Sequence, residues 1–160
     1  MGKKNVVTTM LATLFLALWF GQAGAVNLPN ETEAAKINQL LTNYTLSVSD
    51  GNRALFESQL LDLNIPFSSV PLKASGAATL KTVQDYAGFR KAIFESGKKF
   101  KQRFSNVRIE QVGNLAQVSL DYETAYDGEA YDGKGWKVIQ LIKSDGAWKI
   151  ASEFFTGYPH

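Results

Sequence analysis

Residues 82 to 159, TVQDYAGFRKAIFESGKKFKQRFSNVRIEQVGNLAQVSLDYETAYDGEAYDGKGWKVIQLIKSDGAWKIASEFFTGYP, decide the fold class of this chain. Tyr86, Phe89, Ile93, Phe100 and Phe104 recur at three, four and seven, which predicts one long amphipathic helix with a bulky apolar stripe. Thr82-Val83-Gln84-Asp85 fits a capping box at its start, and Gly97 weakens it before Phe100. Four strands are predicted to follow. Val107, Ile109 and Gln111 mark the first, which turns at Gly113-Asn114. In the second, Val118, Leu120, Tyr122, Thr124 and Tyr126 take one face, and Gln117, Ser119, Asp121 and Glu123 the other. Asp132-Gly133 and Gly135 lead into a third strand from Trp136 to Lys143, and Asp145-Gly146 turns into a last one from Trp148 to Thr156. A helix lying on a run of consecutive strands is an α+β arrangement.

Upstream, Asn30 with Glu33 three residues later opens a first helix whose face is Ile37, Leu40, Leu41, Tyr44 and Val48. Asp50-Gly51 ends it. Leu55, Phe56, Leu60 and Leu63 mark a short second helix that stops before Pro66. Between Ile65 and Lys81 the Ser, Val, Ala, Thr and Gly content, with Pro66, Pro71 and a turn at Ser75-Gly76, predicts two short strands or an edge hairpin.

The N-terminus reads as a targeting segment. Lys3 and Lys4 precede an apolar run from Met10 to Phe20, and Ala23-Gly24-Ala25 is an A-x-A cleavage site, so residues 1–25 are expected to be a secretory signal peptide. That run falls well short of the roughly 20 residues a membrane-spanning helix needs, so no membrane anchor is expected after cleavage. The chain carries 17 Lys+Arg against 15 Asp+Glu; loss of Lys3 and Lys4 with the signal leaves the remainder, residues 26–160, balanced. A balanced chain argues against nucleic acid as a partner, because phosphate binding rests on a basic excess. One local excess exists, at Arg90, Lys91, Lys98, Lys99, Lys101 and Arg103, with an acidic counterpart at Asp121, Glu123, Asp127, Glu129 and Asp132. The two runs could face each other within a chain or across a dimer. With no cysteine in an exported chain, disulfides, a thiolate nucleophile and a lipidated cysteine are excluded, and stability has to come from packing.

The whole of residues 26–160 resembles the nuclear transport factor 2-like superfamily, with its SnoaL-like and ketosteroid isomerase-like members. The most specific element is the final hairpin, Lys143-Ser144-Asp145-Gly146-Ala147-Trp148-Lys149-Ile150; Ser49-Asp50-Gly51-Asn52 is a weaker match. The resemblance implies a cone: a strongly curved antiparallel sheet wrapped around three N-terminal helices, with a pocket at the wide end. It leaves the chemistry open, since such folds host enzymes, binding modules and assembly scaffolds.

Isomerases of this type use a carboxylate base with a tyrosine and a protonated acid in an apolar cavity. Tyr122 and Tyr126 lie on the apolar face and could supply the hydroxyls. By simple alternation Asp121 and Glu123 point away, as does Glu153 beside Phe154; only a strand bulge would reverse that parity. The sole histidine is His160, which removes a Ser-His-Asp triad, a histidine base and a histidine zinc site, and departs from the dehydratase-type members that rely on pocket histidines. No glycine-rich phosphate loop opens a helix, so neither cofactor nor metal is expected. Of the tryptophans, Trp19 leaves with the signal, Trp148 packs, and Trp136 at a strand start is free to meet a ligand or partner.

The preferred reading is an exported, periplasmic or extracellular module, without catalysis, that holds a small apolar or aromatic molecule among Phe56, Leu60, Phe89, Ile93, Tyr122, Tyr126 and Trp136. An isomerase or cyclase is the second reading. A homodimeric interaction protein, joined through the polar outer face of the sheet and without a ligand, is the third. Export has a direct check: N-terminal sequencing of protein recovered from outside the cytoplasm should begin at Val26, and residues 1–25 retained on that material would refute the signal peptide.

Overall fold

The computed structural model describes residues 27–70, 72–73, 76–77, 83–126 and 128–158. The expected signal peptide with its junction at Val26, and Pro71, Ser75, Thr82, Asp127 and His160, lie outside them. Asn30 caps α1 (Glu31–Ser49), its side-chain oxygen accepting the Glu33 N–H at 2.9 Å. Asn52 caps the short α2 (Arg53–Glu57) in the same way, accepting from Leu55 N–H at 3.0 Å. β1 (Phe67–Ser69) and a two-stranded hairpin of β2 (Leu72–Lys73) with β3 (Gly76–Ala77) precede α3 (Tyr86–Ile93).

The single long helix is not there. α3 ends at Ile93, is capped by Asp85, and is followed by β4 (Phe100–Val112), so Phe100 and Phe104 belong to a strand. A spacing of four is one helical turn but also two steps of a strand, and these two rings satisfy both periods. Pairing decided between them: β4 runs antiparallel to β5 (Leu115–Tyr126) from Phe100↔Tyr126 to Val112↔Leu115. The expected first strand at Val107–Gln111 is the far half of β4.

β6 (Gly133–Ser144) and β7 (Ala147–Gly157) complete the meander, and Asp145 and Gly146 turn between them with φ of 51° and 78°, the hairpin geometry that suits an Asp-Gly pair. The order is β1-β7-β6-β5-β4, with β1 parallel to β7 through Phe67↔Glu153. The sheet is therefore mixed rather than wholly antiparallel. β1 reaches β7 from the crossing between α2 and α3 instead of through a hairpin, which leaves its direction free.

Two irregularities bend the sheet. In β4 the register shifts between Ser105 and Arg108, where Asn106 has φ of 52°. In β7, Gln140 pairs with Ser152 but Leu141 with Ile150, so Ala151 is the extra residue of a bulge.

The helices cover one face of the sheet, and the core fills the space between with Ile37, Leu41, Val118, Leu120, Ile139 and Ile150. Phe56 sits at its centre, its ring 4.7 Å from Tyr44, 5.7 Å from Tyr86 and 5.3 Å from Phe89. At the other end of α1, Glu33 accepts from Trp148 Nε1 at 2.8 Å and pairs with Lys143 at 2.9 Å and Lys36 at 3.0 Å. The hydrogen bonds from Lys143 and Lys36 hold its carboxyl down to about 2. Among the described residues no helix is long and apolar enough to cross a membrane.

Phe56 is fully enclosed, so Phe56→Ala should cost about 3–5 kcal/mol in urea unfolding; a loss below about 1 kcal/mol would mean that the centre of the core lies elsewhere.

Candidate functional site

Beyond the core, the sheet opens away from the helices and leaves a cleft of 640 Å³, within the range of small-molecule sites. Phe67, Phe89, Ile93, Phe100, Tyr122 and Phe155 form its apolar walls, Gln84, Asp85, Gln102 and Thr124 add polar groups, and Lys137 borders it as well.

Lys137 is the unexpected member. Its side chain is 2% exposed, and its ammonium lies 2.7 Å from Oε1 of Glu153, whose side chain is 0% exposed. Tyr44, from α1, closes a triangle: its hydroxyl accepts from Lys137 Nζ at 2.7 Å and donates to Glu153 Oε1 at 3.1 Å. Four rings surround the ammonium, with centroids 4.5 Å (Tyr44), 5.3 Å (Tyr122), 5.3 Å (Phe155) and 5.4 Å (Phe104) away. Burial pushes the Lys137 amine down and the Glu153 carboxyl up, and the opposite charge of each partner works against both shifts. The Tyr44 hydroxyl is driven well above its usual value, first by burial and then by Glu153. Oε2 of Glu153 is buried without a hydrogen-bond partner.

Tyr122 lies across its cross-strand neighbour Gly135, and its hydroxyl donates to the Thr156 carbonyl at 3.3 Å. A Cβ at position 135 would come within 2.6 Å of that ring and 2.0 Å of Thr156 O, so the ring's place over the strand requires glycine. Burial and then the charge of Glu153 push the Tyr122 hydroxyl up to about 12, so it stays protonated as a donor at neutral pH.

Of the residues singled out from the sequence, the cleft brings together Phe89, Ile93 and Tyr122. Phe56 and Leu60 lie behind its wall in the core, at 0% and 6% exposure. Tyr126 stands past Phe100 at the end of β5, exposed, with its ring 5.2 Å from Phe100 and under Lys98 at 4.9 Å. Trp136 is on the opposite face of the sheet, beside Asn106, Arg108 and Asp121. Alternation along β6 is the reason: Lys137, in phase with Ile139 and Leu141, takes the inward position, which turns Trp136 outward. That phase was the available signal for Lys137. The expectation that Glu153 points away is also overturned, because the bulge at Ala151 reverses the parity of β7 and turns Ile150 and Glu153 both inward.

The basic and acidic runs touch within the chain at Arg103 and Glu123. Arg103 pairs with Glu123 across β4 and β5 and stacks over Tyr131 at 4.3 Å, and Lys134 approaches Glu123 at 3.5 Å. Among the described residues no group of three or more His, Cys, Asp or Glu is placed to hold a metal ion.

No protein-family model matches this chain and no curated protein matches it in sequence. Solved structures do. An NTF2-like protein from Shewanella baltica superposes with a TM-score of 0.59 at 16% identity over 84% of this chain and 100% of that one. A candidate dehydratase of the NTF2-like family from Streptomyces avermitilis gives 0.65 at 10% identity, over 82% and 100%. The fold is that of the NTF2-like proteins. The β subunit of a candidate aromatic-ring-hydroxylating dioxygenase from Novosphingobium aromaticivorans is similar too, at 0.63 and 15% identity over 81% and 91%. At such identities the likeness is one of NTF2-like architecture, and the activity has to be argued from the cleft.

Lys137→Met should cost about 3–5 kcal/mol near neutral pH, since it leaves Glu153 as a lone buried acid. With Lys137 gone, burial holds the folded-state carboxyl above its ordinary 4.5, so the variant is most stable below that value and loses stability as pH rises through the raised one. Urea midpoints at about pH 5 and about pH 8 should therefore separate from those of the unmodified protein increasingly with pH, and Lys137→Met/Glu153→Gln should recover most of the loss. A pH-independent loss would show that Glu153 is not confined as described.

Proposed function

We propose that this protein is an exported binding module that takes a small apolar or aromatic molecule into the cleft between α3 and the sheet. The observation that carries the reading is a 640 Å³ cleft walled by Phe67, Phe89, Phe100 and Phe155, with Lys137 and Tyr122 as polar contacts. Apolar walls with a few placed polar groups are the ordinary make-up of such sites. Export rests on the Lys3-Lys4, Met10–Phe20 and Ala23-Gly24-Ala25 pattern.

An isomerase or cyclase would need a carboxylate in reach of the substrate's proton. Glu153 is fully buried, bonded to Lys137 and Tyr44, and is not among the cleft-lining residues, whereas Asp85 borders the cleft with its side chain committed to the Gly88 N–H at 3.3 Å. This favours binding over catalysis. Self-association through the outer face of the sheet is part of the proposal, on a specific observation: that face combines Gln117 and Asp121 with the exposed Trp136 and Phe154, at 45% and 42%.

Native mass spectrometry of protein taken from its own compartment should show the mass of a homodimer with a small molecule on each chain. Ala92, exposed at the cleft, is the plug: Ala92→Trp should remove the added mass and leave the free energy of unfolding within about 0.5 kcal/mol. A dimer without added mass would support the interaction reading instead, and a bare monomer would defeat both.

A further inference from the structure

The ammonium of Lys137 has three N–H donors. One goes to Glu153 Oε1 and one to Tyr44 Oη, both at 2.7 Å. Among the described residues the third has no hydrogen-bonding acceptor, only the faces of the surrounding rings, and two of these, Tyr122 and Phe155, are themselves cleft walls. Resting on the cleft reading above, the geometry points to a ligand with a flat apolar body and a neutral carbonyl oxygen, an aldehyde or ketone, that accepts this third N–H. Lys137 is then the residue that sets specificity, and Glu153 and Tyr44 position it.

Charge selects a neutral oxygen over a carboxylate. Lys137 and Glu153 together carry no net charge, so a ligand carboxylate would leave a net negative charge beside two almost wholly buried side chains, where solvent screening is weak. Oε2 of Glu153, buried and without a donor, would add repulsion. A ligand ammonium is disfavoured equally, because the nearest donor is itself a cation. A hydrocarbon lacking any acceptor would fit the walls and leave the third N–H unmet. A carbonyl answers every condition: it accepts, brings no charge, and is planar enough to lie against the aromatic walls of the cleft. Hydrogen bonds to a charged donor are among the stronger ones in such an environment.

The test uses three probes of one shape on the full chain: 2-acetylnaphthalene, its hydrocarbon isostere 2-isopropenylnaphthalene, and 2-naphthoate. Dissociation constants are measured on the unmodified protein and on Lys137→Met/Glu153→Gln, which removes both charges together. The ratio of ketone to hydrocarbon affinity should fall about tenfold in the double variant, the ratio cancelling the difference in transfer from water. On the unmodified protein 2-naphthoate should bind more weakly than the ketone. A second measurement needs no variant: the infrared C=O stretch of bound 2-acetylnaphthalene should lie below its position in an apolar solvent. An unchanged ratio, tighter binding of naphthoate, or an unshifted C=O band would each overturn the carbonyl inference while leaving the cleft as a hydrocarbon site. Failure of all three probes to bind would remove the cleft reading, and the inference with it.

Discussion

The contact on which the rest depends is the dry triangle of Lys137, Glu153 and Tyr44. A charge taken out of water is costly unless it is paired and hydrogen-bonded, and here one lysine, one glutamate and one tyrosine hydroxyl satisfy each other inside a ring of aromatic faces. Each comes from a different element, β6, β7 and α1. The triangle can close only if α1 lies across the sheet at one height and the two strands hold one register, so it acts against any slip in either.

Glu33 fixes the opposite end of the same helix to the last hairpin through Trp148 and Lys143. Tyr44 stands eleven positions after Glu33, about 16 Å of helix at the usual rise, so α1 is held to the sheet at two points one core-length apart. Between them the space is filled by Phe56 and the aliphatic residues around it. Past Tyr44 the packing becomes incomplete, since α3 is only eight residues long while β4 to β7 continue. The cleft is the volume that this short helix fails to fill, and its polar feature is the outer side of the triangle that secures the fold.

A structural ion pair borders the cleft, so in the proposed binding reading stability and recognition are linked. The NTF2-like architecture accommodates this readily, because its sheet supplies a wall whose inward positions are each set by strand parity, and one exchange of an apolar residue for a lysine changes what the wall can recognise. Among the neighbours, a candidate dehydratase and a dioxygenase β subunit share the architecture at 10% and 15% identity.

Much was legible in the sequence because it is local. The cap at Asn30, the inward stripe of α1, the Asp145-Gly146 hairpin and the alternation of β5 depend on a few neighbouring residues, and each appears where its pattern places it. Phe89, Ile93 and Tyr122 were within reach as cleft residues for the same reason, being on apolar faces that have to meet. Lys137 shares the phase of Ile139 and Leu141, but that phase alone does not say that a lysine takes a buried position, which its pairing with Glu153 made possible. What only the tertiary structure decided is whatever turns on pairing over distance. Phe100 and Phe104 fit a helix or a strand until β5 claimed them. Glu153 changed faces because Ala151 is left over when β6 and β7 take their register. β1 runs parallel because of the route it takes between α2 and α3. Hydrophobic period carries a residue's face only up to the next bulge, and the position of a bulge is set by the partner strand.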